Sequence, residues 1–136
     1  MSWAQSLIKL STYEVEVLQK RLGEIADRLI QAQMKLVMLE AEAQAESDRA
    51  RRDAEHGWYQ LGFLEGLRTR RTMIQADIAN IQAEEAGARD ALVLAFEEQK
   101  KYEQVAEGIR LARARETARQ ETAALDELGL RKAARG

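Results

Sequence analysis

The chain has 136 residues, of which 77 are Ala, Glu, Lys, Leu or Arg, a composition that favours long helices or coiled coils over a mixed globular domain. The absence of Cys and the single His exclude a disulfide scaffold, a Cys-based metal site and a pair of His ligands, and no cofactor is expected. The net charge of −2 provides no overall field to attract nucleic acid; without a membrane-length apolar stretch or a secretory leader, the sequence predicts a soluble cytoplasmic protein that is not embedded in a membrane.

The first predicted element is a helix of about residues 4–55. From Val15 onward its apolar residues alternate spacings of four and three, which is the heptad repeat of a left-handed coiled coil. Charged and amide-bearing residues occupy the other faces, which we expect to be solvated. The seam lapses at Glu46 and Ala50. Before that point it consists of Val15, Leu18, Leu22, Ile25, Leu29, Ala32, Leu36, Leu39 and Ala43.

Glycines and aromatic residues interrupt the apolar seam pattern between residues 56 and 66. Gly costs about 1 kcal/mol relative to Ala inside a helix, and it readily adopts the left-handed conformation that ends one. The segment therefore predicts a helix reversal. We place the turn at about residues 55–59, with Gly62 and Gly66 in the first turns of the second helix.

The second predicted helix covers about residues 60–128 and has a less regular seam. Polar residues interrupt it at Arg71, Glu85 and Gln99; such residues lower the stability of a coiled coil and help to fix its register. Folding back at the turn pairs residue i with roughly residue 114 − i, so that Leu36 faces Ile78. The apolar seam residues are Leu64, Leu67, Ile74, Ile78, Ile81, Ala88, Leu92, Ala95, Tyr102, Ala106 and Ile109.

The two predicted helices have unequal lengths, about 75 to 80 Å and about 100 Å at 1.5 Å per residue. Beyond about residue 111 the second helix has no partner from its own chain, yet it still carries leucines among arginines, which favours an external partner. The predicted fold is an all-α, antiparallel two-helix coiled-coil hairpin with a longer second helix and a short flexible C-terminus. It forms one rod-like domain of residues 1–136, either as a monomer or as a dimer.

The sequence offers no site for catalysis. His56 stands alone beside a Gly and is interpreted as a polar turn residue. The paired carboxylates Glu84–Glu85 and Glu97–Glu98 are adjacent on helices, where neighbours point about 100° apart, so a solvated face is favoured. Phosphate-binding Gly loops and nucleophile motifs do not occur in the sequence. We therefore predict no enzymatic activity and no catalytic, cofactor-binding or metal-binding residue.

Two clusters of three arginines flank the predicted turn, and a hairpin brings them together. The resulting patch fits a solvated face, an acidic protein partner or a phosphate backbone, although we expect no nucleic acid partner. An apolar group nearby either packs at the end of the hairpin or forms an exposed hot spot. The clusters are Arg49, Arg51 and Arg52, and Arg68, Arg70 and Arg71; the apolar group is Trp58, Tyr59, Phe63, Leu64 and Leu67.

Several segments of the chain resemble the FliJ family, the small cytoplasmic components of the bacterial flagellar type III export apparatus. The similarity in length and two-helix layout covers essentially the whole chain. The segments that carry it, besides the Trp-containing turn, are EV at 14–15, KRLGEI at 20–25, KLVML at 35–39, FLEGL at 63–67 and LDEL at 125–128.

The resemblance implies an antiparallel coiled coil similar to the central stalk of rotary ATPases. Family members are thought to insert their paired termini into the hexameric export ATPase, to engage the export gate, a membrane protein, through the side of the rod, and to handle export chaperones. By position, Leu39, Phe63 and Leu67 match residues linked to gate contact, whereas Glu42 and Glu46 stand where the family pattern can carry aromatic residues.

We therefore expect a non-enzymatic stalk and adaptor protein, located in the cytoplasm and peripherally associated with the export apparatus at the inner membrane. One alternative is a chaperone or escort for export substrates or export chaperones, and another is a coiled coil associated with nucleic acid. Candidate ATPase contacts lie in the unpaired end of the second helix. They are Arg110, Arg113, Arg119, Leu125, Leu128 and Leu130.

Overall fold

A computed structural model of the chain describes residues 2–53 and 60–135, and all of these except Ser2 and Asp53 are in α-helix. Helix α1 spans Trp3–Arg52 and helix α2 spans Gln60–Arg135. No strand occurs within the two described ranges. The predicted turn at residues 55–59, which includes His56, lies outside the described residues.

Ser2 and Gln5 form a capping box at the start of α1. The Oγ atom of Ser2 accepts a hydrogen bond from the backbone N–H of Gln5 at 3.2 Å, and Oε1 of Gln5 accepts one from the backbone N–H of Ser2 at 3.1 Å. These bonds satisfy N–H groups that have no partner within the helix. At the other end, the three arginines of the last turn stabilise the negative end of the helix dipole.

Helix α2 continues to Arg135, beyond residue 128, where the sequence predicted an end followed by a short flexible segment. Gly129 is helical and lacks the positive φ of a C-cap glycine. One internal Gly costs only about 1 kcal/mol relative to Ala. Arg131 forms a 3.0 Å salt bridge with Glu127, four residues earlier, and Lys132 in the last turn favours the C-terminal end of the helix dipole. The helix therefore passes through the glycine.

The helices contribute to two compact units, each of which contains a part of both. The central unit is Glu16–Val93, and the terminal unit comprises Met1–Val15 and Leu94–Gly136. The sequence predicts a single domain, and that assignment stays a prediction.

Within the central unit the two helices run antiparallel. A salt bridge joins Arg28 to Glu84 at 3.0 Å, and Arg71 forms two hydrogen bonds with Glu40, so rising numbers in α1 pair with falling numbers in α2. The predicted register put Ile74 level with Glu40, within one helical turn of the observed partner. The core of this unit consists of Ile25, Ala32, Ile81 and Ala88, with Leu22, Leu29 and Ile78 packed against them.

The seam of the central unit differs from the predicted one at the start of α2. Leu67 is buried as expected, but Leu64 is 39% exposed, and Phe63 is half-buried in its place. The steps from Arg71 to Leu67 and from Leu67 to Phe63 are both four residues, which departs from the regular four-three alternation. Such a stutter locally unwinds a coiled coil and moves the apolar face by one residue.

Within the terminal unit the helices also run antiparallel. The Nε2 atom of Gln99 donates a 3.0 Å hydrogen bond to Oγ1 of Thr12, which places a polar contact in the seam. Ala4 and Ser11 are buried, so the heptad pattern begins before Val15, the first seam residue predicted from sequence. The predicted all-α fold, an antiparallel pair of helices with a longer second helix, is confirmed.

Candidate partner-binding surfaces

Residues 111–135 of α2, here called the C-terminal segment, are all exposed. Leu125, Leu128 and Leu130 have 67%, 59% and 73% of their surface accessible. Single exposed leucines are ordinary on protein surfaces, but several within 20 residues of one helix form an apolar surface of the kind that binds partners. These three leucines were candidate ATPase contacts, and the structure leaves them free of intramolecular packing.

A shallow groove in the terminal unit marks where α1 stops covering α2. Ala4 and Ile8 of α1 face Ala106 and Ile109 of α2 across it, and Arg113 is the last α2 residue along its walls. From Leu111 to Arg135 every residue of α2 is exposed, so no described side chain of α1 covers this part. The C-terminal segment thus starts where the internal partner ends.

The arginines proposed as ATPase contacts are partly engaged with neighbouring carboxylates. Arg110 binds Glu107 at 2.7 Å and Arg119 binds Glu116 at 2.9 Å. The hydrogen bond from Arg110, followed by its charge, lowers the pKa of Glu107, and the same contact raises the pKa of Arg110. Both pairs are exposed and three residues apart on one helix, so each contributes little to stability and can rearrange toward a partner.

Two of the three residues matched to gate contact are buried in the seam. Leu39 is 4% exposed and Leu67 is 2% exposed, whereas Phe63 is half-buried. Exposed Met38 lies beside Leu39, and both line a shallow groove that also includes Arg70 of α2. The accessible part of this region therefore consists of Phe63, Met38 and the charged groove wall.

Glu42 and Glu46, the two acidic residues noted after Leu39 in the sequence, both form salt bridges. Glu42 lies 3.6 Å from Arg70 of α2, and Glu46 lies 3.6 Å from Arg49 on its own helix. The side chain of Glu46 is only 15% exposed, in keeping with its position in the seam. These two carboxylates therefore give this part of α1 a charged surface.

The two basic clusters predicted near the turn are extensively compensated. Arg49, Arg70 and Arg71 bind Glu46, Glu42 and Glu40, respectively; that is half of the six arginines. The hydrogen bond from Arg71 to Glu40, followed by the charge of that carboxylate, raises the pKa of Arg71. These contacts reduce the positive potential available to an acidic partner or a phosphate backbone.

Exposed apolar residues on α1 form two surfaces that the sequence interpretation missed. In the central unit, Ile30, Met34 and Val37 follow the spacing i, i+4, i+7 and are 54%, 58% and 68% exposed. In the terminal unit, Trp3 and Leu10 are seven residues apart and are 63% and 59% exposed. A search for apolar spacings outside the main seam would have found both.

Three of the four carboxylates considered for catalysis have structural partners. Glu84 binds Arg28, Glu85 binds Arg89 at 3.6 Å, and Glu98 accepts a hydrogen bond from the Tyr102 hydroxyl. That hydrogen bond is the main reason that the pKa of Tyr102 is raised. Within residues 2–53 and 60–135, acidic residues and histidines do not cluster in a way that would hold a metal ion. Neither helix, over the part described, is long and apolar enough to cross a bilayer.

Comparison with known proteins gives a consistent family relationship. The family model described as the flagellar FliJ protein matches residues 4–136. The flagellar FliJ proteins of Caulobacter vibrioides strains NA1000 / CB15N and ATCC 19089 / CIP 103742 / CB 15 are each 49% identical over 134 residues, which cover 98% of this chain and 96% of the relative. No solved structure matches the chain.

Proposed function

Because the chain belongs to the family of flagellar FliJ proteins, it is a component of the flagellar protein export apparatus, and we propose that it is a non-enzymatic stalk and adaptor. In this role it binds and stimulates the hexameric export ATPase and links the ATPase ring to the export gate. It acts in the cytoplasm, peripherally associated with the apparatus at the inner membrane.

The complete exposure of the C-terminal segment is the observation that supports ATPase binding. This helical segment of 25 residues has four exposed leucines that no other described helix covers, and it gains stability when a partner buries those side chains. We assign the contact to Arg110, Arg113, Arg119, Leu125, Leu128 and Leu130.

The test is deletion of residues 112–136. We expect the truncated chain to lose its stimulation of the purified export ATPase while its circular dichroism spectrum remains helical, because the packed seams lie outside the deleted part. Leu94→Ala is the matched control, since Leu94 is a 65% exposed leucine outside the segment, and we expect it to stimulate normally. Undiminished stimulation by the truncated chain would contradict the stalk assignment.

For the export gate, we propose that Phe63 makes the direct contact and that Leu39 and Leu67 position it. The burial of the two leucines supports this division of roles, because a side chain that is 2% to 4% exposed contributes through packing. Met38, beside Leu39 and 69% exposed, extends the accessible surface.

The exposed methionines of the central unit favour a second candidate function, that of an escort for export chaperones or substrates. Met34, Met38 and Met73 are 58% to 69% exposed, and flexible, polarizable methionine side chains adapt to varied partners. The chain that lacks residues 112–136 tests this function through its binding to export chaperones. Unchanged binding would assign the chaperones to the methionine surface and leave the C-terminal segment for the ATPase.

A further inference from the structure

Beyond Ile109, the face of α2 that packs in the seam becomes polar. The main seam of α2 passes through Tyr102, Ala106 and Ile109 with steps of four and three. Continuing those steps leads to Arg113, Glu116 and then Gln120, which are charged or polar. A second helix packed on this face would bury these groups, so the face is unsuited to a coiled-coil partner.

A different face of the same helix becomes apolar where the seam stops. Leu111 follows Ile109 by two residues, which places it about 200° around the helix. From Leu111 the spacings are three, four, three, four and three, a complete heptad series with one polar member, Glu121. This series, here called the docking stripe, consists of Leu111, Ala114, Ala118, Glu121, Leu125 and Leu128.

The docking stripe is accessible and long enough for a helix to pack on it. Its three leucines are 40%, 67% and 59% exposed. The 18 residues from Leu111 to Leu128 span about 27 Å, or five helical turns. The alanines permit close approach of a second helix between the leucine anchors.

Basic residues border the docking stripe. Arg110 and Arg115 lie on its two flanks, and Lys132 and Arg135 continue its line toward the C-terminus. In the C-terminal segment as a whole, six basic residues outnumber four acidic ones, whereas the entire chain has a net charge of −2. Three of those four acids, Glu116, Asp126 and Glu127, project from other faces of the helix.

We propose that the docking stripe binds an amphipathic helix of a protein partner whose apolar face is bordered by Asp and Glu residues. The proposal rests on the proposed function, in which the ATPase supplies that helix. Charge complementarity selects this partner: a second copy of the stripe in parallel would place Arg115 against Arg110 of the other copy, and the leucines have no role in binding a phosphate backbone.

Binding of the full chain to the purified export ATPase tests the proposal. We expect the double variant Leu125→Ala with Leu128→Ala to weaken binding roughly tenfold or more, since both anchors are truncated. Leu94→Ala is the matched control. Leu94 is a 65% exposed leucine of α2 that lies outside the C-terminal segment, and we expect its truncation to change affinity less than twofold. Ala maintains the helix, so loss of folding does not intervene.

Arg115→Glu tests the acidic border. It should weaken ATPase binding and reduce the salt dependence of the affinity, whereas Lys101→Glu, at an exposed basic residue outside the C-terminal segment, should have a smaller effect. Equal effects of the two charge reversals, or of the stripe and Leu94 variants, would overturn the stripe and leave the proposed function intact if deletion of residues 112–136 still abolishes stimulation. Normal ATPase binding by the deleted chain would overturn both. Concentration-dependent dimers in light scattering that the stripe variants abolish would identify a second copy as the occupant and would also overturn the proposal.

Discussion

Three leucines near the start of α2 form a graded series that tests whether burial or surface contact determines their role. Leu67, Leu64 and Leu61 are three residues apart and are 2%, 39% and 76% exposed. Leu→Ala removes three carbons, or about 2.4 kcal/mol of burial energy at about 0.8 kcal/mol per carbon. Scaled by the buried fraction, the expected losses in unfolding free energy are about 2.4, about 1.5 and about 0.6 kcal/mol, respectively.

A cavity contribution adds to the largest of these losses. Leu→Ala substitutions in cores cost about 2 to 5 kcal/mol, and the lower half of that range applies where neighbours can collapse into the space. Two packed helices leave each seam residue open at its sides, so about 2 to 3 kcal/mol is expected for Leu67→Ala. At roughly 3 °C per kcal/mol, its midpoint should fall by about 6 to 9 °C, and that of Leu61→Ala by about 2 °C.

Thermal and urea unfolding followed by circular dichroism measure the series, and binding to the cytoplasmic part of the export gate should be measured well below the lowest midpoint. Under those conditions we expect Leu67→Ala to retain most of its affinity. The result that refutes the reasoning is equal stability of the Leu67 and Leu61 variants, or a Leu67→Ala chain as stable as the wild type that no longer binds the gate. The first result would show that Leu67 does not stabilise the seam, and the second would make it a direct contact.

Two further predictions concern the terminal unit. Thr12→Val should lower the unfolding free energy by about 1 kcal/mol in urea titrations, because the part-buried Gln99 amide loses its acceptor. Adding Gln99→Leu should restore the lost stability, and equal stability of the single and double variants would contradict this. The pKa of Glu107 should lie below its ordinary value of 4.5, so its pair with Arg110 contributes stability above that pH and loses it as the pH falls through the lowered pKa. An NMR titration in which Arg110→Gln leaves this pKa unchanged would show that the pair does not form in solution.

The repeat in α1 contained enough information to predict the fold. Apolar residues at four-three spacing specify a helix, the face that it buries and a helical partner, and these inferences need only local sequence. The buried positions Ile25, Ala32 and Leu39 all belong to the predicted seam. The spacing of Ser2 and Gln5 also indicates a capping box, although the predicted repeat began only at Val15.

Features that depend on pairing between distant segments were harder to predict. The contacts of Glu42 with Arg70 and of Glu40 with Arg71 require the relative position of the helices to within a residue or two, which an apolar pattern does not determine. The packing of Phe63 in place of Leu64 was not predicted for the same reason. Both residues are apolar, so the sequence pattern alone does not reveal the stutter. The burial of Leu39 and Leu67 agrees with their places in the predicted seam, so only the residue that takes the place of Leu64 differs from the prediction.

The angular position of apolar residues around a helix, more than their hydrophobicity, identifies the surfaces available for partners in a fold of this kind. A helix turns through a full circle in 3.6 residues, and one internal partner uses a single face, so exposed apolar residues are unavoidable and individually uninformative. They become informative when they repeat with helical spacing on a face that has no internal partner. Ile30, Met34 and Val37 form one such face, and the docking stripe forms another. The stripe alone has a basic border on both sides, and for that reason its partner can be specified chemically as a helix with acidic flanks.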